Sequence, residues 1–153
     1  MGIDVTDVGL VVSKLVEQLK NDPVIRDMSV TVDRSAEGDN PSRCPWLCVY
    51  RFGARLPPRT LGVAPGFRRH NVDLAIVAQH SDATSGEQCE IRLEKLVKAA
   101  LDALLNDTTI GGTVQQLGEE IFIQYPDFRL TSEGQYMQTA VINFTALGVV
   151  NVT

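Results

Sequence analysis

"LEKLVKAALDALLNDTTIGGTVQQLG", residues 93–118, decides how this chain folds. Its first half carries Leu93, Leu96, Val97, Ala100, Leu101, Leu104 and Leu105 on one helical stripe ending near Asn106. Its second half, with Gly111 and Gly112 side by side, is either a phosphate cradle or a connector. A phosphate-binding glycine loop follows a strand and opens a helix, so that the first-turn N–H groups and the positive end of the dipole face the anion. Here the glycines follow a helix, and no Gly-Lys-Ser/Thr completes the pattern. The stretch therefore reads as the passage from a helix back into a sheet, with Asn106 the nearer candidate for a left-handed cap.

Working outward, Ser85 with Gln88 three residues later is a capping-box signature that starts this helix. An earlier helix is predicted between Thr6 and Lys20, where Val8, Val11, Val12, Leu15, Val16 and Leu19 keep helical spacing. Thr6 or Asp7 would cap it, and Asn21-Asp22-Pro23 would stop it. Met28, Val30 and Val32 alternate with polar residues as in a half-buried strand. Trp46 to Phe52 and Val72 to Gln79 read as strands inside a covered sheet, and Glu120 to Gln124 as a short strand before a Tyr125-Pro126-Asp127 turn. Gln135 to about Val149 is a long extended run, about 50 Å if straight. Such a strand must bend, or protrude and find a partner for its backbone in a neighbouring subunit. The expectation is a single domain over residues 1–153 of the α+β class, with two principal helices on a mainly antiparallel mixed sheet.

Hydrophobic content of 44% and charged content of 22% are those of a globular chain. No apolar run reaches the roughly 18 residues of a membrane span, and "MGIDVTDVG" lacks the pattern of a signal peptide. Three cysteines, Cys44, Cys48 and Cys89, fit a reducing compartment. In a strand, the Cys44 to Cys48 spacing is about 13 Å, too long for a disulfide or shared zinc, so buried small hydrophobes are expected. The net charge of −5 is unevenly spread. Arg43 to His70 holds six arginines (Arg43, Arg51, Arg55, Arg59, Arg68 and Arg69) and no acid, leaving 8 basic against 19 acidic groups elsewhere, or −11. Much of this segment, Gly53 to His70, is rich in Pro and Gly and reads as a protruding basic loop.

Candidate chemistry is thin. His70 with Asp73, or His80 with Asp82, could be a base and its orienting carboxylate, with Ser81 or Cys89 as nucleophile. The two histidines stand ten residues apart on one expected strand, about 30 Å, so they cannot share a centre and read as strand-end surface residues. Glu87, Glu90 and Glu94 line one side of the second helix as a solvated acidic face, with Lys95 and Lys98 near enough to pair, and Glu119-Glu120 adds no ligand spacing. No catalytic set, metal site or cofactor site is expected. The arginine segment could meet phosphates, or it could dock on the acidic body of an identical neighbour, the reading favoured because aromatic residues for base stacking are sparse.

The order of elements, "LEKLVKAALDALLNDTTIGGTVQQLG" and the closing "GQYMQTAVINFTALGVV" together resemble the tail terminator, or tail-completion, proteins of long-tailed bacteriophages over about Val8 to Val150. The resemblance implies a structural virion protein, not an enzyme. Such a protein is assembled in the host cytoplasm into a homo-oligomeric ring, commonly a hexamer, on the head-proximal end of the tail. It stops polymerisation of the tail tube protein and presents a surface to the neck or head-completion protein, while DNA passes through the ring without sequence-specific binding. On this reading Arg55, Arg59, Arg68 and Arg69 would be the interaction residues for ring, tube or lumen. The strand Gln135 to Val149 and the second helix would build the sheet and the ring interface. Alternatives are a head-closure or neck connector and a small nucleic-acid-binding module.

Overall fold

The computed structural model describes residues 5–34, 44–55, 66–130 and 134–152. In chain order the elements are α1 (Val5–Asn21), α2 (Pro23–Asp27), β1 (Thr31–Arg34), β2 (Trp46–Arg55), β3 (Gly66–Asp82), α3 (Gly86–Asn106), β4 (Gln116–Leu130) and β5 (Tyr136–Val152). The five strands form one sheet in the order β1-β2-β3-β5-β4. Only the β1–β2 pair is parallel, so the α+β class with a mainly antiparallel mixed sheet is what the chain adopts.

The helices form where the apolar stripes demand. Val8, Val11, Val12, Leu15, Val16 and Leu19 are all buried, as are Leu93, Leu96, Val97, Ala100 and Leu104. Leu105, at the end of the second stripe, is 52% exposed instead. Ser85 caps α3 by accepting from the Gln88 N–H at 3.0 Å. At the other helix, α1 already begins at Val5, so Thr6 and Asp7 fall inside its first turn rather than before it. Asp22-Pro23 does end α1 but also starts α2: Asp22 accepts from the Ile25 N–H at 3.1 Å and Pro23 takes the first helical position, where its missing N–H costs nothing.

Both long helices share one apolar core with one face of the sheet. Leu47 and Val49 of β2, Val72, Leu74, Ile76 and Ala78 of β3, and Ala140, Ile142, Phe144 and Ala146 of β5 point into it. On the opposite face no described helix packs; Val77, Val141 and Asn143 there are half-buried, although Trp46, Cys48 and Ala75 are fully buried. The covering of both faces expected for β2 and β3 is thus met by helices on one side only.

Three strand expectations are corrected. β3 and β5 are both 17 residues long and pair along their full length, from Gly66↔Val152 to Asp82↔Tyr136. The long closing strand is therefore matched along its length by β3, and up to Leu147 it lies inside the sheet between β3 and β4 rather than offering an edge to a neighbour. Tyr125-Pro126-Asp127 is no turn: it is an irregularity inside a 15-residue β4, where the register shifts between Gln124 and Asp127. Pro126 is tolerated there because β4 is the edge strand and needs no donor on its outer side.

Candidate functional site

Both ends of the basic segment expected as a loop from Gly53 to His70 are strand, and its middle, residues 56–65, lies outside the described residues. β2 continues to Arg55, paired with Asn71, and β3 has begun by Gly66. Arg55 lies exposed at the end of β2, and Arg51, four residues earlier on the same strand, is exposed as well. Arg68 and Arg69 lie on β3, opposite Val150 and Val149 of β5. Arg59 and Arg43 lie outside the described residues, so the structure places two of the four expected interaction residues on one strand and a third at its neighbour's end.

What puts these arginines at one end is the mismatch in strand lengths. β2 stops pairing with β3 at Asn71, and β4 begins pairing with β5 at Leu147. Beyond that level five pairs of β3 and β5, Gly66↔Val152 to His70↔Gly148, continue as a ribbon that no other described strand flanks. At about 3.3 Å per residue it adds roughly 17 Å to the sheet. An open groove of about 820 Å³ lies at its root, with Arg55, Asn71, Gln116, Glu119 and Leu147 among its walls. Arg55 and Glu119 bring opposite charges to this groove, so it is not a uniformly cationic phosphate site.

The root of the ribbon is held by His70, which is 3% exposed, contrary to the surface position expected of it. His70 faces Gly148 in register, and a Cβ on that glycine would lie 1.9 Å from the imidazole Nε2. Gly148 is therefore the slot that admits a ring into the end of the core.

The other sequence candidates are committed elsewhere. His80 is half-buried near the opposite end of the same strand. Burial first, and then the Arg92 guanidinium, press its pKa below the ordinary value, while Asp82 pulls it up. Asp82 does not serve as a partner that would ready this histidine for catalysis. It accepts from the Thr84 hydroxyl and, at 2.7 Å, from the Thr84 N–H, and it pairs with Arg92 Nη1 at 2.8 Å. Those bonds, the Thr84 hydroxyl foremost, hold its carboxyl below the usual range. Burial raises the Cys89 thiol, whose Sγ lies 3.3 Å from the His80 carbonyl oxygen, away from the reactive thiolate form. Cys48 is buried and Cys44 half-buried, and all three cysteines are free. Glu87, Glu90 and Glu94 are exposed along α3, and Lys98 pairs with Asp102 at 2.7 Å rather than with any of them. No group of three His, Cys, Asp or Glu among the described residues is placed to hold a metal ion.

The glycine pair is a turn with its own anion. Asp107 caps α3 in extended conformation, so the left-handed residues come later than Asn106: Ile110 at φ 49°, Gly111 at 64° and Gly112 at 80°. One Asp107 carboxylate oxygen accepts from the Thr109 N–H at 3.0 Å and the other from the Gly111 N–H at 3.1 Å. The Thr109 hydroxyl accepts from the Gly112 N–H at 3.1 Å. The donors a phosphate would need are thus taken by side chains of the same turn. The Thr109 hydroxyl, followed by the Gly111 N–H, lowers the pKa of Asp107. Two supports were not legible beforehand: Ile110 is fully buried despite its left-handed backbone, and Gln18 of α1 donates to the α3 carbonyls of Ala103 at 2.8 Å and Asp107 at 3.1 Å.

Compared with protein-family models and with curated proteins, the chain matches none.

Proposed function

We propose that this chain is a structural virion protein of the tail-terminator kind, which caps the head-proximal end of a phage tail tube as a homo-oligomeric ring. In that role it ends tube polymerisation and offers the joining surface for the neck. The observation that carries the reading is the β3–β5 ribbon, which extends the sheet past both neighbouring strands with Arg68 and Arg69 on it and Arg55 at its root. Extending a ribbon away from the core leaves backbone groups without sheet partners, a cost that an assembly contact would offset. The commitment of Asp82 and Asp107 to structural bonds leaves the ribbon, among the described residues, as the feature that supports an assembly role.

The test is to add the purified protein to tail tubes and image their ends by electron microscopy. Capped tubes of fixed length are expected, and reversing the charge of Arg55, Arg59, Arg68 and Arg69 together should abolish capping while leaving the circular dichroism of the chain unchanged. Full capping by the reversed protein would remove these residues from the role, and uncapped tubes with the wild-type chain would sink the reading.

A further inference from the structure

From Tyr136 to Leu147 the closing strand β5 is enclosed between β3 and β4, and at that level the open edges among the described strands lie elsewhere. β4 is the last strand of the sheet. On the opposite side, among the described residues, β1 covers β2 from Trp46 to Val49, and Arg51 to Arg55 lie exposed beyond it. These two edges stand at the same height: Arg55, Asn71, Leu147 and Gln116 form one cross-strand row, Ala54, Val72, Ala146 and Leu117 the next, and Gly53, Asp73 and Thr145 the one after. Thr145 is the residue opposite which β4 bulges between Leu117 and Ile121, where Glu119 and Glu120 are both exposed.

From these rows we infer that the β2 edge at Arg51–Arg55 of one copy pairs with the β4 edge at Gln116–Phe122 of the next copy, continuing the sheet from subunit to subunit. Three physical points favour this partner. First, β2 and β4 run in opposite directions, because each neighbouring pair from β2 through β3 and β5 to β4 is antiparallel, so the junction between copies is antiparallel as well. Secondly, the charges are complementary, Arg51 and Arg55 on one edge and Glu119 and Glu120 on the other. An isologous dimer through either edge would set arginine against arginine or glutamate against glutamate, which electrostatics disfavours. Thirdly, edges at equal height let successive copies join without climbing along the strand direction, the condition for a head-to-tail contact to close on itself rather than grow into a helix. This inference rests on the assembly reading for its purpose, while the pairing itself rests on strand direction, height and charge.

Sedimentation velocity of the full chain alone, over a range of concentration and salt, tests it. The wild type should form assemblies larger than a dimer that weaken as salt rises. Arg51→Glu with Arg55→Glu, and separately Glu119→Arg with Glu120→Arg, should each weaken association by about tenfold or more. Mixing the two reversed proteins, or combining all four changes in one chain, should restore it, because each basic edge again meets an acidic one. A wild type that stays monomeric or stops at a closed dimer overturns the pairing, as does a fourfold variant that fails to recover. Capping of tubes is read separately: assembly with uncapped tubes removes the functional reading alone, and capping without charge-swap rescue removes the edge pairing alone.

Discussion

The chain uses glycine in two places for opposite reasons. Gly111 and Gly112 stand side by side and catch the eye in the sequence, and what they chiefly supply is backbone sign, at φ 64° and 80°. A Cβ on Gly112 would meet nothing within 4 Å. Gly148 is inconspicuous in a run of strand residues, yet it supplies space, since His70 occupies the volume its side chain would take. Conformation can be read from a local pattern, whereas space belongs to a residue 78 positions away in sequence.

That contrast can be broken by substitution. The largest effect is expected for Gly148→Val, which should cost about 1–3 kcal/mol or more in urea unfolding, because a buried imidazole cannot yield without moving β3. Unchanged stability there would mean that His70 leaves its slot freely. Gly111→Val should cost about 1–2 kcal/mol for forcing a branched residue into the left-handed region. The loss at Gly112 should match it despite the open space around that position, and a much smaller loss at Gly112 would show that crowding against Lys14, 3.3 Å from a Cβ at Gly111, matters more than backbone sign.

The smallest effect is a pH dependence. Because the folded-state pKa of Asp107 is depressed by its bonds to Thr109 and Gly111, its stabilisation is present above the ordinary carboxylate value of about 3.9 and is lost as pH falls through the lower folded value. Asp107→Asn should therefore lower the melting temperature at neutral pH and flatten the acid side of the stability curve. A curve of unchanged shape would show that the carboxylate does not order the turn.

The helices were legible because one apolar stripe each fixes both period and facing. Strand extents were not, for identifiable reasons. Glu119-Glu120 and Pro126 interrupt the alternation of β4 where the strand bulges, so only its middle looked extended. Arg68, Arg69 and His70 sit beside a Pro- and Gly-rich segment and read as loop, although β5 provides them with strand partners that no local pattern can announce. α2 is only five residues long, but Asp22-Pro23 was a usable cap signal. Of the candidate site, the clustering of arginines was visible in the charge map, whereas the height of the two edges and the acidic bulge on β4 exist only once the strands are in register. Ile110, Gln18 and the Asp82–Arg92 pair join elements distant in the chain or in conformations that residue type does not suggest.

The place of β5 also sets an order of events. It is the last of the five strands in chain order but an inner strand of the sheet, flanked by β3 and β4. Among the described strands β4 pairs with β5 alone, so during synthesis it has no sheet to join until β5 has emerged. The β1–β2–β3 half can form first, but the sheet is completed from within, by the latest of its five strands to be made. Joining Gly66 to Val152 closes a long loop of chain, a non-local step of the kind that slows folding. A ribosome stalled before β5 would therefore hold helices and three strands with an open, sticky seam along β3, which is where nascent chains of this protein should recruit a chaperone.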